Sequence, residues 1–353
     1  MILIALTPRI RKAWMQRTTS RSAVAVSQPA SRGPTSGAQV PTSPPRPMIS
    51  GDDALISLLL LHLARVAATK SPEAWPAEAM AVSRDLHAHL PNQLVPFTSR
   101  IPLGLVKLCG QDMQDLSVNL FAAYVLEKVE VMASALGRPR LSGLRLEGGA
   151  WLQDALNQGH GAVLWCENCF SSSLLLKATL ASAGFQVHHL SRLGHNLSNT
   201  RYGMRFLNPI VRKAEDRYLA ERILVDDSNQ LAVARRIMER LKDNKVVSVT
   251  VGGQGHQAVE SPALDGIVRV ATGAPHFALR SGAPLLPAFS HRDGPDYVVE
   301  IGEPIDLTGM DRDSAYEFAV RDFARRMVGF VREHPLDWDG WLRGSYSEPA
   351  RDA

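Results

Sequence analysis

Cysteine is scarce in this chain: 353 residues contain three, Cys109, Cys166 and Cys169. That is too few for a disulfide framework and fits a reducing compartment, the cytoplasm. A long apolar run is also missing. The best candidate lies within Ala54–Val66, covers roughly half of the ~20 residues a bilayer crossing needs, and is interrupted by His62 and Arg65. A transmembrane span is therefore excluded, while a core-covering helix, a partner-packing helix and a peripheral membrane helix all stay open. No Gly-X-Ser-X-Gly elbow occurs, which argues against a serine hydrolase. The glycine cluster Gly252-Gly253-Gln254-Gly255 lacks the Gly-Lys-Ser/Thr ending of a nucleotide P-loop. No internal repeat is visible. A basic body is absent too. The net charge is +4, but Arg9, Arg11, Lys12, Arg17, Arg21, Arg32 and Arg46 all precede the first acid, Asp52. Removing those seven from the 39 Lys and Arg leaves 32 against 35 Asp and Glu, so the body is about −3 and no nucleic-acid partner is expected.

What is present is a globular core: 45% of the residues are hydrophobic and 21% charged. Residues 1–50, rich in Ser, Pro, Arg and Thr, read as a disordered basic tail. Such a tail is shared by linkers, by transit peptides and by sequence lying ahead of a start at Met48. Asp52 or Asp53 is expected to cap a helix over Ala54–Val66. From Pro76 to Leu136 the pattern is helical, broken at Pro91, Pro96 and Pro102, with an amphipathic helix over Asp115–Ala133. Leu144–Glu147 reads as a short strand and Trp151–Asn157 as a helix. Ala162–Trp165 is a strand buried on both faces. The helix Leu174–Ala183 stops at Gly184, and Phe185–Leu190 is the next strand. A long loop over Arg192–Arg212 follows, then a helix over Asn229–Lys242 capped by Ser228. Val246–Val251 is a buried strand, and Ile267–Gly282 is mostly helical or mixed. Strands over Pro284–Phe289 and Tyr297–Ile301 precede a closing helix over Ser314–Arg332. Strands alternating with helices predict an α/β fold with a mixed, mostly parallel central sheet flanked by helices and an N-terminal helical segment. The expected boundaries are 51–140 for the helical segment, 141–343 for the core and 344–353 for a flexible tail.

The chemistry-bearing groups concentrate in Cys166-Glu167-Asn168-Cys169-Phe170-Ser171-Ser172-Ser173, where the carboxyl end of a strand meets a helix N-terminus. Ligands of open α/β sheets bind at such ends. Cys166-X-X-Cys169 there suggests a thiol redox site, because a helix N-terminus favours the thiolate. The two cysteines could also join His188 or His189 on zinc, although adjacent strand residues point to opposite faces and at most one histidine could serve. Ser171, Ser172 and Ser173 could cap the helix or donate to an oxyanion. Gly252–Gly255 could hold a phosphate on its backbone amides, or simply turn the chain. His160, His276 and His291 fall in structural patterns and are assigned no role.

Four stretches resemble, in order, the bacterial late lipid A acyltransferases of the lysophospholipid acyltransferase superfamily. They are Leu146–Ser173, Val246–Gly255, Ala271–Phe289 with its Gly-Ala-Pro steps, and the terminal Arg332-Glu-His-Pro-Leu-Asp-Trp-Asp-Gly-Trp341. The likeness spans roughly residues 75–343. It implies a glycerolipid acyltransferase-like fold and transfer of a fatty acyl chain from an acyl carrier protein or acyl-CoA thioester to a lipid or glycolipid hydroxyl. It further implies a cytoplasmic protein peripheral to the inner membrane, with no cofactor and no metal.

The family's chemistry uses His-X4-Asp/Glu at the strand-to-helix turn, the histidine taking the hydroxyl proton and the carboxylate orienting it. In this chain the histidine position is Asn168 and the carboxylate position is Ser173. The loop at Gly252-Gly253-Gln254 lacks the acid found there in the family. A rebuilt site would draw its base from Glu167 or from a loop histidine (His188, His189, His195 or His256), with His256 the foremost of these. Cys169 would be an alternative acyl acceptor, and Arg192, Arg201, Gly253 and Gln254 would contact substrate. A relative that binds lipid or acyl carrier without catalysis is the alternative reading, and a thiol redox protein the second.

Overall fold

The computed structural model describes residues 47–192, 197–225, 228–252, 257–343 and 346–348. It opens with α1 (Gly51–Thr69), α2 (Trp75–His89), α3 (Pro91–Thr98), α4 (Leu103–Cys109) and α5 (Met113–Ala135). Ser50, not Asp52 or Asp53, caps α1. Ser50 Oγ accepts the Asp53 N–H at 3.2 Å while Asp53 Oδ2 accepts the Ser50 N–H at 2.7 Å, a capping box. Asp53 sits one turn in because its carboxylate also accepts the hydroxyls of Ser198 and Thr200 from across the fold. Pro91 opens α3 and Pro102 precedes α4, but Pro96 lies inside α3 without ending it. In so short a helix it removes a single ladder bond.

Helix α5 forms where a helix is expected, yet it is not amphipathic. Val125, Val129 and Met132 pack with α1 and α2, Leu116 and Leu120 with one sheet cluster, and Val131 with the other. Wedged between the helical layer and the sheet, it has no free polar face, so Glu127, Lys128 and Glu130 are buried with it.

The core is mixed α/β, a mostly parallel sheet flanked by helices. Its strands are β1 (Leu144–Glu147), β2 (Ala162–Cys166), β3 (Val187–Arg192), β4 (Glu221–Val225), β5 (Val246–Thr250), β8 (Leu285–Asp293) and β9 (Asp296–Ile301). They lie in the order β1-β9-β8-β2-β5-β3-β4, and every neighbouring pair is parallel except β8–β9. On β2, Val163 and Trp165 face one layer and Ala162, Leu164 and Cys166 the other, and all five are buried. Burial on both faces is what an unbroken apolar run dictates. Gly161, just ahead, is required twice over: its φ is +70, and a Cβ there would meet Lys245 O at 2.6 Å and Leu241 O at 2.8 Å.

The connecting elements are α6 (Gly149–Asn157), α7 (Lys177–Ser182), α8 (Asn208–Asp216), α9 (Gln230–Lys242), α10 (Gly273–Ser281), α11 (Arg312–Glu333) and α12 (Gly340–Arg343). Helix α7 is preceded by a π-turn over Ser172–Leu176, and the Phe185 N–H closes its end on Leu180 O, so β3 starts two residues later than its apolar run suggests. The expected loop over Arg192–Arg212 contains a π-turn (Gly203–Leu207) and the start of α8, with Pro209 in its first turn. Strand β4, at the sheet edge and half-charged, has no sequence expectation behind it. Asn229 rather than Ser228 occupies the cap position of α9. The stretch from Ile267 holds not only α10 but also β7 (Gly266–Ala271), which pairs antiparallel with β6 (Ala258–Ala263). Within the expected C-terminal tail, β10 (Tyr346–Ser347) pairs with β7. No helix among the described residues is long and apolar enough to cross a membrane.

Candidate functional site

The eight-residue turn after β2 sits where the sheet's connections diverge. From β2 the chain moves through β3, β4 and β5 on one side and reaches β8 on the other, the arrangement that opens a crevice at strand carboxyl ends. Glu167 N–H still pairs with Ala288 O at 2.9 Å, and Val251 N–H with Cys166 O at 2.8 Å. Beyond that, the terminal segment following α11 docks on the turn. Phe170 N–H donates to Asp337 O at 2.8 Å, Asp339 N–H donates to Asn168 O at 3.1 Å, and Cys169 bridges Trp338.

The sequence-expected site residues take distinct places. Asn168 Nδ2 donates to Val251 O at 2.6 Å, which ties the turn to the end of β5. Ser173 Oγ donates to Glu127 Oε1 at 2.6 Å. Glu167 is 2% exposed; its Oε1 accepts the Asn168 N–H at 2.8 Å and its buried Oε2 has no hydrogen-bond partner. Burial lifts its pKa from 4.5 to about 7, against the pull of the Asn168 N–H. The Trp338 indole N–H, close to the same carboxyl but outside hydrogen-bond geometry, also works against the rise. Arg192 lies at the carboxyl end of β3, with β5 between it and β2, and Arg201 is exposed, its N–H on Pro47 O. Gly253, Gln254, His256 and His195 lie outside the described residues.

With the terminal segment docked on the turn, neither thiol is placed to accept an acyl group or to form a redox couple. Both turn thiols are buried; burial raises Cys166 to about 12 and Cys169 well above its ordinary value, so neither is a thiolate near neutral pH. No cysteine shares a metal-sized cluster with His188 or His189 among the described residues. His189 Nδ1 instead meets Ser248 Oγ at 2.8 Å, and His188 lies 4.0 Å from Glu221. A thiol reagent such as Ellman's is expected to modify half-buried Cys109 alone in the native protein and all three cysteines after unfolding. Rapid native modification of Cys166 or Cys169 would contradict their burial.

Sequence reasoning did not anticipate the charges packed around the turn. Ser171, fully buried and at φ 65, accepts from Arg292 Nη2 at 2.6 Å, and the same nitrogen meets Glu130 Oε1 at 2.6 Å. Glu127 pairs with Lys128 at 3.1 Å, and Lys128 sits over the Tyr124 ring at 4.7 Å. Burial would raise the Glu127 pKa, but Lys128 and the Ser173 hydroxyl outweigh it and hold the carboxylate ionised. Asp339 pairs with Arg343, and Asp337, raised by burial to about 6, accepts the Arg292 N–H at 3.2 Å. The signal was the run Glu127-Lys128-Val129-Glu130 inside an otherwise apolar helix, where a solvated face is the ordinary reading.

Chemically, the turn offers one group suited to neutral-pH proton transfer, Glu167, ringed by fixed charges. Two surface clefts, of about 390 and 350 Å³, are lined by residues such as His160, Glu239 and Lys242, and Lys70, Trp75 and Arg138, all away from the turn.

No family model and no curated protein matches the chain. Among solved structures, the 1-acyl-sn-glycerophosphate (LPA) acyltransferase PlsC from Thermotoga maritima is similar over 73% of this chain and 97% of its own, at 13% identity and a TM-score of 0.33. A similarity that loose assigns no residue and no activity.

Proposed function

We propose that the chain is a divergent acyltransferase that moves a fatty acyl group from a carrier thioester to a lipid or glycolipid hydroxyl, with Glu167 as the general base. The observation that carries this reading is the Glu167 carboxyl, poised near pH 7 at the strand's carboxyl end with one oxygen unpartnered. General bases work best with pKa values near the operating pH. In the transfer, Glu167 Oε2 takes the hydroxyl proton as that oxygen attacks the thioester carbonyl. The C–O bond forms, the C–S bond breaks, and the proton passes to the departing thiolate. Because Glu167 is almost fully covered, the reaction requires the Asp337–Asp339 segment to move off the turn. The donor is an acyl carrier protein or acyl-CoA, and the acceptor is presented at the inner membrane surface. Met48, Ile49, Leu58 and Leu61, at and just before α1, are exposed apolar side chains of the kind a peripheral membrane contact uses.

A second reading, a relative that binds lipid or acyl carrier without catalysis, is favoured by the commitment of Asn168 and Ser173 to structural hydrogen bonds. The two separate in one assay. Full-length protein is incubated with labelled acyl carrier thioester and vesicles containing lysophospholipid or glycolipid. Labelled acyl lipid supports the transferase; carrier retained on the protein with no product supports the binding relative.

A further inference from the structure

On the face of β8 opposite Arg292, three ligand-type side chains converge. Phe289 pairs with Glu300 and His291 with Val298 across the β8–β9 ladder, so His291 and Glu300 are diagonal neighbours on one face. His291 Nδ1 lies 3.0 Å from Glu300 Oε1. His334, which follows the last turn of α11, stacks on His291 with ring centroids 3.7 Å apart and 18° between planes. One donor atom from each of the three falls within 4.8 Å of the others. His291 is 8% exposed, and its Nδ1 makes no hydrogen bond of proper geometry even beside the carboxylate. A buried ring nitrogen left so calls for a partner. Glu300 and His334 are half-exposed, which leaves an approach from solvent. The surroundings are acidic: Glu147 and Asp293 are paired with Arg145, and Glu333 adds a further carboxylate.

We propose that His291, Glu300 and His334 bind a divalent transition-metal ion of the zinc class. Two imidazole nitrogens and one carboxylate oxygen, with a fourth position open to water, are a donor set that zinc takes. Calcium and magnesium, which require about six or more oxygen-type ligands, are not served by it. Zinc bonds of about 2.0–2.1 Å set tetrahedral donors roughly 3.4 Å apart, so His291 and Glu300, already at 3.0 Å, need little adjustment and the main movement falls to His334. The stacked rings have parallel lone pairs and cannot both address one ion as they lie. His334, half-exposed and following the last turn of α11, is the ring that must turn. The ion ties the β8–β9 hairpin to the end of α11, whose next residues carry Asp337 and Asp339 onto the turn. Neighbouring strand residues His291 and Arg292 point to opposite faces and only Arg292 faces the turn, so the ion acts on the turn only through the end of α11.

The test uses full-length protein stripped with a chelator and titrated with Zn²⁺ alone by calorimetry and with Co²⁺ by visible absorption. The proposal expects a Zn²⁺ site, four-coordinate d–d bands with Co²⁺, and a Tm that rises with added zinc. His334→Gln and Glu300→Gln, each checked for folding by circular dichroism, weaken binding by about tenfold or more. His89→Ala, on exposed α2 surface, leaves it unchanged. Absence of zinc uptake by the wild type, or variants that bind as tightly as the wild type, overturns the site.

Discussion

Glutamine in place of Glu167 is expected to cut acyl transfer by about 10²–10⁴-fold, the range lost with a general base, without unfolding the protein. The amide matches the carboxyl in shape and its oxygen can still accept the Asn168 N–H, but it cannot carry a proton away. Stability moves the other way. The folded-state pKa stands raised from 4.5 to about 7, so burial favours the protonated form. The stability this confers is fully present below about 4.5 and is lost as pH rises through about 7, a swing of about 3 kcal/mol. Urea unfolding is therefore expected to find Glu167→Gln more stable than wild type by up to about 3 kcal/mol near pH 8, with the difference vanishing below about pH 4.5. A variant that is both slower and more stable at alkaline pH marks a residue held under strain for chemistry. A variant that is less stable at both pH values would mean that Glu167 serves the fold alone.

Arg292→Ala is expected to cost about 3–5 kcal/mol, the usual loss when one partner of a buried ion pair is removed. Glu130, at 1% side-chain exposure, would lose its ion-pair partner inside the fold. Ser171, held at φ 65, would also lose the donor that Arg292 supplies. Burial by itself would lower the Arg292 pKa, and the opposing carboxylate of Glu130 more than reverses this, so the guanidinium stays charged. Replacing both charges, as Arg292→Met with Glu130→Gln, should recover most of the loss because no uncompensated charge is left inside. Urea midpoints at unchanged m-value measure both variants. A loss below about 1 kcal/mol for Arg292→Ala would show that water reaches the pair despite its burial.

The features read correctly from the chain were local ones. An unbroken apolar run ending in a polar cluster gives β2 and its turn, and a glycine at positive φ stops the helix after it. The α/β architecture follows from such alternation. The partners of the turn come from far along the chain. Asp337 and Asp339 reach it from the end of α11, and Arg292 from a strand whose neighbour His291 faces the other way. Neither contact has a periodic signature. Helix α5 was legible as a helix but not as a buried one, because an amphipathic reading assigns Glu127, Lys128 and Glu130 to water, and only the packing of α1, α2 and the sheet around it denies them that face. Strand β4, short, half-charged and at the sheet edge, lacks the apolar run that marks β2 and β5. The meeting of His291 with Glu300 and His334 depends on the register of a hairpin and on where α11 ends, and spacing in sequence fixes neither.

The role of Glu167 as proton acceptor is tested most directly by the pH dependence of kcat/KM for acyl transfer, measured for wild type and Glu167→Gln side by side. The prediction is a wild-type rate that rises with pH through an apparent pKa near 7 and a variant in which that limb is gone. A Glu167→Gln enzyme that keeps both the wild-type rate and the same rising limb would contradict it.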